Sequence, residues 1–316
     1  MVKVKGIFKN ARGELSSFIM LLILWAIFAI GSQYFLTFRN IMNIGSYMSI
    51  MGTMAAGLTV AMLLGGLDVS QYALAAMGGM ILGMCYEAGI PSGITLLIVL
   101  FVGIVGGSFN AFIITVMKVN PIICTMGTSF IFRGIAYLLT NGRYIRIDDP
   151  VFYFIGNGKI LGIPFCLILM LIVYIIIWYV LKYTLYGRSV FAVGGNLQVA
   201  KLAGINTDKI RFISHIIAGV TAVMGGIITV CQSSSCMASQ GYGNDMNGIS
   251  AVILGGISMA GGRGKVFGTL IGVAILSTLV NGMTLLNVQS YWQQVVQGLV
   301  LVGAVFIDSL RNSKRM

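Results

Sequence analysis

The chain is predicted to be an all-α polytopic membrane protein: one domain over residues 1–316, with about ten transmembrane helices, some interrupted, and a cytosolic helix-bearing loop. Three observations predict this class. Hydrophobic residues make up 58% of the 316 residues, charged residues only 9%, and mean hydropathy is +0.96. A soluble domain is about a quarter charged, so this chain cannot clothe a water-facing surface and lipid must be its solvent. The apolar residues also fall into runs near the ~20 residues that a helix needs to cross a bilayer. Finally, the basic residues gather on one side of the spans those runs define.

The elements follow in order. The first run, 16–36, comes after a basic segment and leads on to further runs, so it reads as a retained anchor. Runs 44–65 and 71–87 are separated by Gly65-Gly66 and Asp68, where a helix break is expected. Runs 94–117, 121–140 and 162–182 come next. A polar, basic segment at 184–211 precedes the last four runs, 212–231, 248–261, 266–286 and 291–309, of which 248–261 is short for a span. Glycine supports a packed bundle, with 42 residues where ~7% is usual. Gly79 and Gly83, Gly103 and Gly107, and Gly268 and Gly272 are small-xxx-small pairs that let helix backbones approach closely. An internal echo links AMLLGGLDVS (61–70) to AVILGGISMA (251–260), as in transporter folds that repeat an interrupted helix.

The 184–211 segment carries a helix design of its own. Asn196 can N-cap, Leu197 to Ala203 are helix-compatible, and Gly204 can close the helix in the left-handed conformation. So short a helix is marginal alone in water, which makes it a candidate docking element for another protein.

Placing the N-terminus in the cytosol gives a consistent charge map. The cytosolic side then holds Lys3, Lys5, Lys9, Arg12, Lys118, Lys182, Arg188, Lys201, Lys209, Arg211, Arg263, Lys265, Arg311, Lys314 and Arg315. The outer side holds only Arg39, Arg143, Arg146 and Lys159. That bias follows the positive-inside rule and favours both termini in the cytosol. It also accounts for the net charge of +12 without nucleic acid, since no basic face with interleaved aromatics is present.

Catalytic chemistry has little material. His215 is the single histidine, near the cytosolic end of the seventh run, where a hydrogen-bonded packing role is expected. No histidine-based metal site or triad follows from it. The five cysteines form no CxxC and read as small buried hydrophobes. Asp148 and Asp149 precede Pro150 in an outer solvated turn. GGRGKV (261–266) lacks the spacing of a phosphate-binding loop and has Val266 where Ser or Thr would hold magnesium, so no ATP hydrolysis is expected of this chain.

Two ionisable residues at membrane depth are more informative, because such charges face protein or water. Asp68 either caps the helix of the third run or, with Ser70, Asn120, Thr125 and Thr128, lines a wet route. Arg133 lies about 18 Å into the fifth run. It is expected to face the bundle as a structural anchor on carbonyl oxygens or an acidic partner, with Asp68 one candidate.

GGLDVS (65–70) resembles the GGxDLS signature of ribose-type sugar ABC-importer permeases of bacteria. NPIICTMGTSFIFRGIAYL (120–138), TLYGRSVFAVGGNLQVAKLAGIN (184–206), ISAVILGGISMAGGRGKVFGTLIGVAIL (249–276) and NGMTLLNVQSYWQQVVQGLVLVGAV (281–305) resemble further signatures of that family, in the same order. The resemblance covers most of residues 44–309. It implies an inner-membrane subunit working as a dimer, with itself or a sister chain, beside a cytosolic ATPase and an extracytoplasmic solute-binding protein. ATP and Mg would sit on the ATPase. It further implies that 184–211 holds the coupling helix, on Gly187, Arg188, Gly195, Asn196, Ala200, Gly204 and Ile205. The solute would be a monosaccharide, with nucleosides or branched-chain amino acids as alternatives. A secondary transporter or channel without an ATPase is the competing class. The chain departs from the family pattern at Gln71-Tyr72, where small residues are usual, at Ile123-Cys124 and at Lys201. The first two departures lie near the path, and Lys201 lies at the ATPase face.

Overall fold

A computed structural model describes the backbone of residues 2–313 and the side chains of residues 15–306. Lys3, Lys5, Lys9, Arg12, Arg311, Lys314 and Arg315, which carry part of the charge map, lie outside that side-chain description. The chain folds as an all-helical bundle: α1 Val2–Gly31, α2 Phe38–Leu63, α3 Gln71–Glu87, α4 Ser92–Thr115, α5 Pro121–Leu138, α6 Pro150–Asn157, α7 Phe165–Tyr183, α8 Leu185–Gly195, α9 Leu197–Leu202, α10 Thr207–Ser233, α11 Asp245–Leu254, α12 Val266–Leu285 and α13 Ser290–Ser313. Two-residue strands, β1 Ile145–Arg146 with β4 Ser235–Cys236, and β2 Lys159–Ile160 with β3 Ile163–Pro164, tie loops together.

Among the described residues, six helices are long and apolar enough to cross a membrane: α2, α4, α5, α7, α10 and α12. The other four predicted spans correspond to α1, whose apolar part is Leu15–Gly31, to α3 with 17 residues, to α11 with 10, and to α13. Boundaries follow local chemistry. The first run stops at Gly31 because Ser32–Thr37 turns, and the Thr37 hydroxyl takes the Asn40 N–H to start α2. Asn120 caps α5 and Pro121 occupies its first turn, where a missing N–H costs nothing. The predicted solvated turn at Asp148-Asp149 is instead the start of α6: Asp149 Oδ1 accepts from Val151 and Phe152 N–H at 2.8 and 3.1 Å.

α10 is the central post, packed on α2, α3 and α4. The α4 crossing depends on Gly103: a Cβ there would sit 2.8 Å from the Gly219 carbonyl oxygen. Gly83 likewise leaves room for Cys236, whose Sγ would lie 2.8 Å from an added Cβ.

The sequence echo is a geometric one. After α2, Gly66 N–H bonds to Ala61 O and Gly65 N–H to Met62 O, with Gly65 at φ +74. After α11, Ile257 N–H bonds to Val252 O and Gly256 N–H to Ile253 O, with Gly256 at φ +88. Both are left-handed helix closures of one pattern. The geometry pairs Gly65 with Gly256, one residue later than the sequence alignment does. The two closures meet: Gly262 N–H donates to Leu63 O at 2.7 Å, and the Thr59 and Thr269 hydroxyls lie 2.7 Å apart.

Candidate functional site

The 184–211 segment is more structured than its sequence suggests. Thr184 Oγ1 accepts the Gly187 N–H to start α8, a helix that the segment's glycines conceal. Asn196 Oδ1 accepts from Gln198 and Val199 N–H at 3.0 and 3.1 Å, starting α9 as expected. Gly204, at φ +78, closes α9 while Ile205 N–H bonds to Ala200 O. Gly187 is buried, and Arg188, Gly195 and Asn196 are exposed. Ala200, also among the expected coupling residues, faces its own chain at 2% exposure. The apolar surface offered outward is Val199 and Leu202, 60% and 88% exposed. Behind them, the α8 end meets the α2 end and the 255–265 loop: a Cβ on Gly194 would lie 2.7 Å from Gly262 N.

Asp68 sits in the break between α2 and α3. Its Oδ1 accepts from Ser70 N–H at 2.9 Å and Ser70 Oγ at 2.6 Å, and Asn110 of α4 donates to Ser70 Oγ at 2.8 Å. Its Oδ2 lies 3.9 Å from Nδ1 of His215, too far for a hydrogen bond, and that nitrogen is buried without one. Thr125 Oγ1 accepts the Val69 N–H at 3.2 Å and donates to Pro121 O at 2.9 Å. Thr128 Oγ donates to Thr125 O. Asp68, Ser70, Thr125 and Thr128 are therefore brought together, all buried. Asn120 stands apart, exposed at the α5 cap.

Arg133 does not reach Asp68. Its Nη1 donates to the carbonyls of Ala238 and Gln240, each at 2.7 Å, and its guanidinium lies 5.8 Å from the Tyr242 ring centre. It holds the segment 234–244, which joins α10 to α11 and contains β4.

That segment walls a pocket the sequence reading did not identify. It opens among α2, α3, α10, α11, α12 and α13, with Tyr47, Tyr72, Gln240, Asn244, Asn247 and Gln297 as its principal polar lining. None of the expected path residues lines it. The available signal was Tyr72, at the point of departure from the family motif. The amides gave none, because they are scattered over the 234–244 segment, α11 and α13.

Fold and site together define a polytopic helical membrane protein with breaks between its helices and a short capped helix exposed in the 184–211 segment. Residues 40–305 match the family described as branched-chain amino acid transport system / permease component, and the chain belongs to that family. It is 34% identical to the ribose import permease protein of Haemophilus influenzae over 96% of this chain and 95% of that protein. It is 35% identical to the ribose import permease protein of Escherichia coli K12, covering 95% and 94% of the two chains. With the L-arabinose transport system permease protein of Escherichia coli K12 it shares 32% over 96% and 92%. No solved structure matches.

Proposed function

We propose that the chain is the membrane subunit of an ATP-driven importer in a bacterial inner membrane, passing a monosaccharide inward from an extracytoplasmic binding protein. In this reading ten helices cross the membrane as a single domain (α1 to α5, α7 and α10 to α13), with both termini in the cytosol. ATP and Mg act on a separate cytosolic ATPase, and a second permease subunit completes the assembly. The sugar follows from the ribose and arabinose permeases that the chain resembles along nearly its whole length.

The observation that carries the reading is the α8–α9 unit. A short helix capped at both ends presents Val199 and Leu202 to solvent and is braced against both helix closures. Docked on an ATPase, it would pass movement to α2 and α11 together. The Gly187, Arg188, Gly195, Asn196, Gly204 and Ile205 positions shape the unit, and Ala200 seats it on the bundle. Asp68, Ser70, Thr125 and Thr128 serve the path by fixing where α3 begins, and Asn120 by fixing α5.

Reconstituting the permease with its ATPase and binding protein in proteoliposomes tests this. Labelled D-ribose, L-arabinose, uridine and L-leucine are offered in turn. Sugar uptake should need both ATP and the binding protein. Leu202→Asp should leave folded yield within the usual surface-mutation range of ~0.5 kcal/mol and abolish uptake. Accumulation by the permease alone would establish a secondary transporter instead.

A further inference from the structure

The segment 234–244 lies where irregular backbone is costly. Ser235 and Cys236 pair with Arg146 and Ile145 at the end of the bundle away from α9. Five residues later, a Cβ on Gly241 would lie 2.6 Å from the Tyr72 ring, in the first turn of α3. The chain therefore descends beside α3 into the bundle, and α11 starts at depth. Non-helical backbone survives at membrane depth only when it is buried in protein or lines a wet cavity. Here both apply: Arg133 takes two carbonyls, and Gln240, Gly241 and Asn244 line the pocket.

The pocket holds ≈ 130 Å³. That is room for several waters or one small solute. Its wall has no charged side chain. An amino-acid zwitterion would leave both of its charges unpaired there, a heavy cost away from bulk water. What the wall offers is two tyrosines, four amides and a floor of Met51, Met54 and Ala75. Tyr72 is only 8% exposed, and what exposure it has faces this pocket.

We propose that this pocket is the permease's own solute site, built for one neutral polyhydroxylated ring. Tyr47 and Tyr72 lie against the faces of the ring. Gln240, Asn244, Asn247 and Gln297 exchange hydrogen bonds with its hydroxyls. Neutral groups alone hold the solute, so it is released when the walls part. Arg133 positions the wall without touching solute. The inference rests on the importer reading and names the site of that function.

The test uses the complete importer in proteoliposomes with D-ribose as probe. Asn247→Leu and Gln297→Leu should each lower ribose uptake about tenfold, while ATPase stimulation by the unliganded binding protein stays unchanged. Tyr72→Phe removes only the hydroxyl and should cost roughly twofold to tenfold, as for one hydrogen bond. A second measurement is independent of turnover. In a cysteine-free background, Ala76→Cys places a thiol in the pocket wall, and D-ribose at saturating concentration should slow its labelling whereas L-leucine should not. Wild-type uptake of ribose with the leucine variants at full rate, or equal protection by leucine, overturns the site. Failure of the wild type to take up any offered solute overturns the importer reading beneath it.

Discussion

The two interrupted helices are held open by opposite means. The break at 64–70 is closed by near neighbours: Asp68 takes Ser70 twice, and Thr125 bridges Val69 and the α5 backbone. The whole cluster is buried. The break at 234–244 is held by the short β1–β4 pairing, by one distant arginine and by successive turns, with Gln240 N–H to Met237 O, Tyr242 N–H to Ser239 O and Asn244 N–H to Gly241 O. Its other side is a pocket. A break satisfied by local side chains is a fixed point. One satisfied partly by a cavity can exchange those partners for solute or water, which is what a wall of a transport path must do.

The largest effect should come from unsettling the fixed break. Asp68→Ala removes the acceptor for two buried donors at once. Hydrogen bonds to a charged group are worth ~1.5–3 kcal/mol each, so the loss should be about 3 kcal/mol or more. Folded yield by size-exclusion chromatography should collapse. Asp68→Asn keeps one acceptor oxygen and should recover part of the yield. If Asp68→Ala folds normally but transports nothing, Asp68 belongs to the path and the contrast between the breaks fails.

Arg133 gives the next effect. Arg133→Ala leaves the Ala238 and Gln240 carbonyls without their donor, at ~1–3 kcal/mol each where they stay buried. Arg133→Lys keeps the charge but loses the planar fork, and should restore only part of the yield. Solute preference should be unchanged in whatever folds, read by competition among labelled sugars. A well-folded Arg133→Ala with altered preference would make the arginine part of the solute site.

What the sequence disclosed divides along the same line. The break at Gly65-Gly66, the Asn196 and Gly204 caps and Arg133's need for carbonyls were legible, because each depends on residues adjacent in sequence or on the cost of one charge in lipid. The partners of Arg133 were not, since they lie 105 and 107 residues away. α8 was hidden because Gly187, Gly194 and Gly195 read as loop, yet the packing needs the first two: a Cβ on Gly187 would lie 2.5 Å from the Leu181 carbonyl carbon, and one on Gly194 2.7 Å from Gly262 N. The predicted span 248–261 is only α11, because four glycines between 256 and 264 take positive φ and turn the chain. Of the pocket only Tyr72 was marked, because the rest of its wall comes together only where six helices and a loop converge.

The smallest effect discriminates most finely, because it asks which glycine of the second closure is the counterpart of Gly65. Sequence alignment pairs Gly65 with Gly255, whereas hydrogen bonding pairs it with Gly256. Gly65 and Gly256 both have positive φ, and an added Cβ meets Ala260 O at an ordinary 3.5 Å in the first case and nothing within 4 Å in the second. Alanine at either position should therefore cost only the left-handed strain of ~1–2 kcal/mol. Gly255 is right-handed, at φ −67, so alanine there carries no such strain. Its Cβ would instead stand 2.5 Å from the Gly268 carbonyl carbon and 2.6 Å from Thr269 N, both backbone atoms of α12. Only separation of α11 from α12 can relieve that. Thermal unfolding in detergent should place Gly65→Ala and Gly256→Ala close together and Gly255→Ala well below both. Equal loss from Gly255→Ala and Gly65→Ala, with Gly256→Ala neutral, would restore the register of the sequence alignment and remove the geometric equivalence of the two closures.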